Sequence, residues 1–378
     1  MKVVYNSFSG RYSDSPRAVY EALADRGGDL HHTWLAHPAH AQSFPPGTGT
    51  VPYGSPDCIA ALEAADVLVS NDHVPLDWEK RPGAIYLQTW HGTPLKRIHH
   101  DVRWAPVGRL ERLDADVALW DHLLSPNHTS SERLRRAFRF TGQIHEIGYP
   151  RNDLLSSPGR FAMREAVRAE LGVPDGVRAV LYTPTWRDDV VFGASGPGFA
   201  LQLDLHDFTR RLGRDHVLLL RLHSMVADQL DLPAGAPVLD VSRYRDVRDL
   251  YVAADLLVTD YSSTMFDFAI TGRPILFFTY DIDYYRDELR GFYFDLTTEA
   301  PGPLLDTSEA LVSAIRDLDA VAAEHCHRYA RFQQTFCHLE DGHATDRVLE
   351  RFFPTGNRYD VANLPPPAPQ RGDRHAHR

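Results

Sequence analysis

The chain is poor in cysteine: Cys58, Cys326 and Cys337 are the three it holds among 378 residues. An odd number with no metal-ligand pairing excludes a secreted disulfide scaffold and points to a reducing compartment. Long apolar runs are missing too. None approaches the roughly 18–20 residues of a membrane span, and the opening MKVVYNSFSG has no signal-peptide core. Positive charge is in deficit, with 40 Lys and Arg against 51 Asp and Glu and a formal charge of −11. That balance excludes a protein that coats nucleic acid, while leaving room for a local basic cleft. Also absent are a dinucleotide GxGxxG turn, a Walker loop, a Gly-x-Ser-x-Gly elbow and a His-Glu-x-x-His zinc motif. The expectation is a cytoplasmic protein, any membrane contact being peripheral and at the inner face.

What is present reads as two α/β domains. Hydrophobic residues make up 43% and charged residues 24%, ordinary values for a globular chain of two domains. Short apolar runs alternate with helical patterns, as parallel sheets require. The first series predicts strands near 2–7, 31–36, 66–70, 84–90, 122–125 and 144–147. Helices fall at 15–26, 57–64, 107–116 and 127–138. The second predicts strands at 179–183, 217–222, 238–240, 256–259 and 274–278, with helices including 161–171, 263–270 and 307–318. The division expected is a domain over 1–150, another over 151–356, and a Pro/His/Arg-rich disordered tail over 357–378. Ligands of such sheets gather at the carboxyl ends of the strands, here in a cleft between the domains.

Four strand exits carry chemistry. Thr89-Trp90-His91-Gly92-Thr93-Pro94-Leu95-Lys96 places a histidine, a glycine, a hydroxyl and a cation together, and His91 suits a general base for an alcohol. The competing reading is a structural histidine closing a strand. Thr183-Pro184-Thr185-Trp186-Arg187 offers a guanidinium for a phosphate and Thr185 or Trp186 for a base or ribose; alternatively Arg187 pairs with Asp188 or Asp189. In Arg221-Leu222-His223, alternation puts Arg221 and His223 on one side, fit to clasp an oxyanion. The fourth exit, Thr259 to Asp267, opens a helix with Ser262 and Ser263, which serve a phosphate, a helix cap, or both. Asp267 lies one turn on and could reach ribose hydroxyls. Asp281-Ile282-Asp283 has the spacing of a metal site, yet no metal or other cofactor is expected, because the phosphate already has cationic partners.

These stretches, with Gly148-Tyr149-Pro150-Arg151-Asn152-Asp153, Arg273-Pro274, Tyr280-Asp281, Tyr285, Arg290-Gly291-Phe292-Tyr293-Phe294-Asp295 and Asp341-Gly342, recur in a familiar order. So does the opening turn Phe8 to Arg17. Together they resemble the CDP-glycerol:poly(glycerophosphate) glycerophosphotransferase family, the teichoic acid polymerases and primases, from about Lys2 to Phe353. The resemblance implies a GT-B-type α/β fold of two facing Rossmann-like domains with parallel sheets and an interdomain cleft. It implies donor contacts at Gly92, Thr93, Arg151, Thr185, Trp186, Arg187, Arg221, Ser262, Ser263 and Asp267, and catalytic roles for His91 and His223. Which of the two histidines is the base stays open. The implied partners are CDP-glycerol or CDP-ribitol and a lipid-linked or polymer acceptor. The reaction would move a polyol phosphate to the acceptor hydroxyl and release CMP. Two other readings are a GT-B glycosyltransferase using a nucleotide sugar and a catalytically silent nucleotide-binding scaffold.

Overall fold

The computed structural model describes residues 1–185, 187, 201–222 and 235–354. Trp186, His223 and the stretch 357–378, about which the sequence raised expectations, lie outside the described residues. The chain divides into two compact units: one of residues 1–91, 105–151 and the stretch beginning at His343, the other of residues 92–104 and 152–342. The partition differs from 1–150 and 151–356 in three places. Arg151 groups with the first unit. Residues 92–104 group with the second unit, and the helix Ala344–Phe352 with the first.

The first unit is built on seven parallel strands: β1 (Lys2–Asn6), β2 (His31–Ala36), β3 (Thr50–Pro52), β4 (Val67–Ser70), β5 (Ile85–Gln88), β6 (His122–Ser125) and β7 (Gln143–Glu146). Their order is β3-β2-β1-β4-β5-β6-β7, so the direction of winding reverses between β1 and β4. β4 and β5 are buried along their whole length, which is why they read as unbroken apolar runs. One face of the sheet packs Val3, Tyr5, Val67, Val69, Ile85 and Leu87 against Val19 and Leu23 of the helix Asp14–Arg26. Val348, Leu349 and Phe352 of the last helix join them. The three-residue β3 escaped the sequence reading because it sits behind a Pro- and Gly-rich loop on the sheet edge.

A buried histidine pair crosses β6 and β7. His145 Nε2 lies 3.1 Å from His122 Nδ1, and both rings pack on Phe352. Burial first, then Arg351 and His122, pull the His145 pKa down to about 3. An unfolded histidine titrates near 6.5, so between about 6.5 and 3 the unfolded chain binds the extra proton. This contribution is complete above the upper value and drains away as pH falls, by at most about 1.4 kcal/mol per pH unit. Urea titrations of the protein and of His145→Leu from pH 7 to 4 should show a shallower pH slope in the variant; equal slopes would remove His145 from the acid response.

The second unit repeats the pattern with β8 (Arg178–Thr183), β9 (His216–Leu220), β10 (Val238–Asp240), β11 (Leu256–Thr259), β12 (Ile275–Phe278) and β13 (Leu304–Leu305), ordered β10-β9-β8-β11-β12-β13 and all parallel. Alternate residues serve opposite faces. Ala179 and Leu181 of β8 enter one core, with Leu250, Met265, Phe266, Phe332 and Phe336 from the covering helices. Val180 and Tyr182 enter the other, with Phe208, Leu212, Leu311, Val312 and Ile315. The winding reverses between β8 and β11. That is the place where open sheets of this kind bind ligands.

Candidate active site

In the first unit three loops meet at the carboxyl ends of β1, β4 and β5. The loop after β1 holds Phe8, Ser9 and Gly10 successively at positive φ (45°, 57° and 112°). A Cβ on Gly10 would lie 2.2 Å from the His37 backbone nitrogen, so the tight turn against the end of β2 needs glycine. The Phe8 N–H donates to Asn71 Oδ1 at 3.0 Å, tying this loop to the one after β4.

His91 lies in the loop after β5, as the sequence suggested. The strand is shorter than the predicted 84–90, because the Trp90 N–H donates to the Gln88 side chain and Trp90 turns to φ 54°. A left-handed tryptophan is uncommon and marks a constrained turn. The His91 ring stacks on Trp90 with centroids 4.1 Å apart and meets Phe8 at 5.2 Å. Its Nδ1 sits 2.6 Å from the Asn71 carbonyl oxygen. A carbonyl only accepts, so Nδ1 carries the proton and the neutral ring keeps its lone pair on Nε2. The half-buried ring is therefore oriented as a base. The adjoining Gly92 and Thr93 are buried and belong to the second unit.

Arg151, which the resemblance implied as a donor contact, is placed inside the first unit. It is 4% exposed, its guanidinium lies 3.0 Å from Asp14 Oδ2, and it covers the ring of Tyr149 at 4.8 Å. Asp14 itself stands at φ 64°. Within the first unit the arginine secures the start of the helix Asp14–Arg26.

In the second unit the exits of β8 and β11 converge. Asp260, 1% exposed, accepts the N–H of Thr185 at 2.9 Å, that of Tyr261, and Arg187 Nη1 at 3.0 Å. Arg187 also grips Asp281 with two bonds, Nε to Oδ2 at 2.7 Å and Nη2 to Oδ1 at 2.8 Å. Tyr261, Tyr280 and Tyr285 surround the guanidinium at 4.9–5.3 Å. Burial alone would lower the Arg187 pKa, but Asp260 and Asp281 outweigh it and raise it. Burial also pushes the Tyr280 hydroxyl up to about 12. Through Asp260 and Asp281, Arg187 holds the two exits together; Asp188 and Asp189 lie outside the described residues. The sequence missed this cage, although Asp260, Tyr261, Asp281 and Tyr285 all stood in its recurring motifs. Asp281, which had the spacing of a metal ligand, is taken by Arg187 and by the Tyr261 hydroxyl at 2.9 Å, and Asp283 by Arg286.

The remaining residues frame the same strand ends. Arg221 donates through Nη1 to the carbonyls of Val241 and Tyr244, both at 3.0 Å, and is half-buried. The Ser262 hydroxyl accepts the Thr264 N–H at 3.3 Å, whereas Ser263 stands at the cap position without a capping bond from its side chain. Thr183, Thr259 and Thr264 join hydroxyls across the floor of the site at 3.0–3.4 Å. Thr185 Oγ1 is buried with no hydrogen-bond partner among the described residues. Asp267 is 7% exposed and accepts from Asn152 Nδ2 at 3.1 Å. Gly92–Trp104 is clasped to the loop after the π-helical turn Tyr285–Leu289: Lys96 forms a β-bridge with Phe292, and the Tyr293 N–H donates to Leu95 O at 2.8 Å.

Comparison with known proteins agrees with this architecture. Residues 1–354 match the family described as CDP-Glycerol:Poly(glycerophosphate) glycerophosphotransferase. The chain is 38% identical over 363 residues to the teichoic acid poly(glycerol phosphate) polymerase of Bacillus subtilis, covering 93% of this chain but 48%, about half, of that protein. It is 37% identical over 364 residues to the teichoic acid glycerol-phosphate transferase of Staphylococcus aureus, covering 93% and 92%. Among solved structures, that of the wall teichoic acid polymerase TagF superposes with a TM-score of 0.85 at 35% identity, over 92% of this chain and 87% of that one. The fold is accordingly of the GT-B type, with two Rossmann-like sheets.

Proposed function

The chain belongs to the CDP-glycerol:poly(glycerophosphate) glycerophosphotransferase family, and we propose that it transfers glycerol phosphate from CDP-glycerol to an acceptor hydroxyl in the synthesis of a teichoic acid-like polymer. The observation that carries the reading is the hydrogen bond from His91 Nδ1 to the Asn71 carbonyl, which leaves Nε2 as a proton acceptor. In this mechanism the acceptor oxygen gives its proton to Nε2 and attacks the β-phosphorus. A new P–O bond forms as the bond to the CMP oxygen breaks, and CMP departs. Arg221 and the amides at Ser262 and Ser263 stabilise charge on the phosphates, and His223, by the resemblance, joins them. Arg187 contributes by fixing the loop that carries Thr185. The step as written uses no metal. Glycerol is favoured over ribitol because the four relatives matched over nine-tenths of this chain are named for glycerol phosphate.

The acceptor is lipid-linked or a growing polymer, and contact with the inner membrane face is peripheral. No helix among the described residues is long and apolar enough to cross a membrane. Exposed Trp104 and Val107, flanked by Arg103 and Arg109, suit the headgroup region of an anionic bilayer. To test the reaction, the protein is incubated with CDP-glycerol or CDP-ribitol and a lipid-linked disaccharide acceptor analogue, and CMP is quantified. Acceptor-dependent CMP from CDP-glycerol is expected. A nucleoside diphosphate released from a nucleotide sugar, with neither CMP nor a thermal shift from either CDP-alcohol, would overturn the proposal.

A further inference from the structure

We infer that His73 and Asp116 form a buried positioning pair that sets the tautomer and aim of His91. The pair lies behind the histidine, wholly within the first unit. His73 Nδ1 stands 2.9 Å from Asp116 Oδ2, and since a carboxylate accepts, the ring donates. Asp116 is 3% exposed and takes two further donors, Trp120 Nε1 at 3.0 Å and the Tyr86 hydroxyl at 3.3 Å. His73 is 9% exposed and packs edge-on to Trp90, with centroids 5.9 Å apart, and against Trp120 at 5.2 Å.

Two of the three contacts that hold His91 among the described residues rest on this pair, the third being Phe8. Asn71, whose carbonyl receives the Nδ1 proton, is two residues before His73 in the same loop. Trp90, on which the His91 ring stacks, lies against the His73 ring. Three donors converging on one buried carboxylate fix His73, and His73 in turn fixes the carbonyl and the indole that hold His91. If the loop shifted, the 2.6 Å bond would lengthen and the ring could move its proton to Nε2, which ends its use as a base. The pair touches no substrate atom; it acts through His91.

The kinetic arm of the test rests on the glycerophosphotransferase reading, and a spectroscopic arm stands apart from it. His73→Phe keeps a ring beneath Trp90 and removes the donor; His73→Asn restores an N–H near the Nδ1 position. We expect kcat for CMP release to fall by about 10–100-fold in His73→Phe, with KM for CDP-glycerol changed by less than about threefold, and to recover largely in His73→Asn. Unchanged kcat in His73→Phe, or His73→Asn impaired as badly as His73→Phe, overturns the inference. Two-bond imidazole ¹H–¹⁵N spectra, with His91 identified by its loss in His91→Gln, should show the Nδ1–H tautomer in the parent protein and a mixture in His73→Phe. An unchanged tautomer there also overturns it. A parent protein that releases no CMP refutes the proposed reaction, while the spectra still decide the role of His73. Should His73→Phe fail to fold, Trp120→Phe, which takes one donor from Asp116 and leaves His73 in place, is expected to cost about threefold or more in kcat and to shift the same tautomer signal.

Discussion

His91→Asn should reduce acceptor-dependent CMP release by about 10²–10⁴-fold, the usual loss when a general base is removed. Asparagine is the informative replacement. Its side-chain amide can still donate to the Asn71 carbonyl in place of Nδ1, so the loop after β5 keeps its tie to the loop after β4. What it lacks is a basic atom where Nε2 stood. Donor affinity measured by calorimetry should therefore stay within a fewfold of the parent, because CDP-glycerol is assigned to residues of the second unit. A variant that turns over near the parent rate would remove His91 from the proton transfer and leave His223 as the base. A variant that loses donor affinity and rate together would make His91 a binding residue instead.

The sequence made most of the scaffold legible. Parallel strands buried on both faces, such as Val67–Ser70 and Leu256–Thr259, announce themselves as short apolar runs, and the exits that follow them hold His91, Thr185 and Ser262 as expected. The edge strands Thr50–Pro52 and Leu304–Leu305 are too short to leave a signal. The partners of charged side chains were also hidden. Arg151 meets Asp14 across 137 positions of sequence and Arg187 meets Asp281 across 94, and spacing says nothing about such pairs. Arg187 was read as a phosphate contact or an ion-pair partner because a guanidinium after a strand fits either purpose, and Arg151 as a donor contact through the family resemblance alone. Asp116 and His73 were invisible for the same reason: neither stands in a motif, and their effect on His91 passes through packing.

The Arg187 cage leads to the second large effect. Asp260→Ala removes an acceptor that serves the Thr185 and Tyr261 amides and half of the Arg187 guanidinium. Breaking a buried ion pair from one side typically costs about 3–5 kcal/mol when the surviving charge is left alone; Arg187 keeps its two bonds to Asp281, so a loss toward the lower end of that range is expected. Here the side chains of Arg187 and Asp260 are 10% and 2% exposed, so solvent can do little to replace the bond. A loss of that order should appear as a lower urea midpoint with an unchanged slope. In the double variant Asp260→Ala/Arg187→Leu the loss should be smaller than the sum of the two single losses, because either change alone already breaks the Arg187–Asp260 pair; a strictly additive loss would show that the two residues do not act as a pair. The charge count of the cage also bears on catalysis. One guanidinium between two carboxylates leaves the cage with a net negative charge, which repels a diphosphate. On the proposed reading, attraction for the donor comes from elsewhere at the carboxyl ends of β8, β9 and β11, where Arg221 and the amides of Ser262 and Ser263 stand among the described residues. Arg221→Ala should accordingly weaken CDP-glycerol binding while leaving the urea midpoint close to the parent value, the opposite pattern to Asp260→Ala.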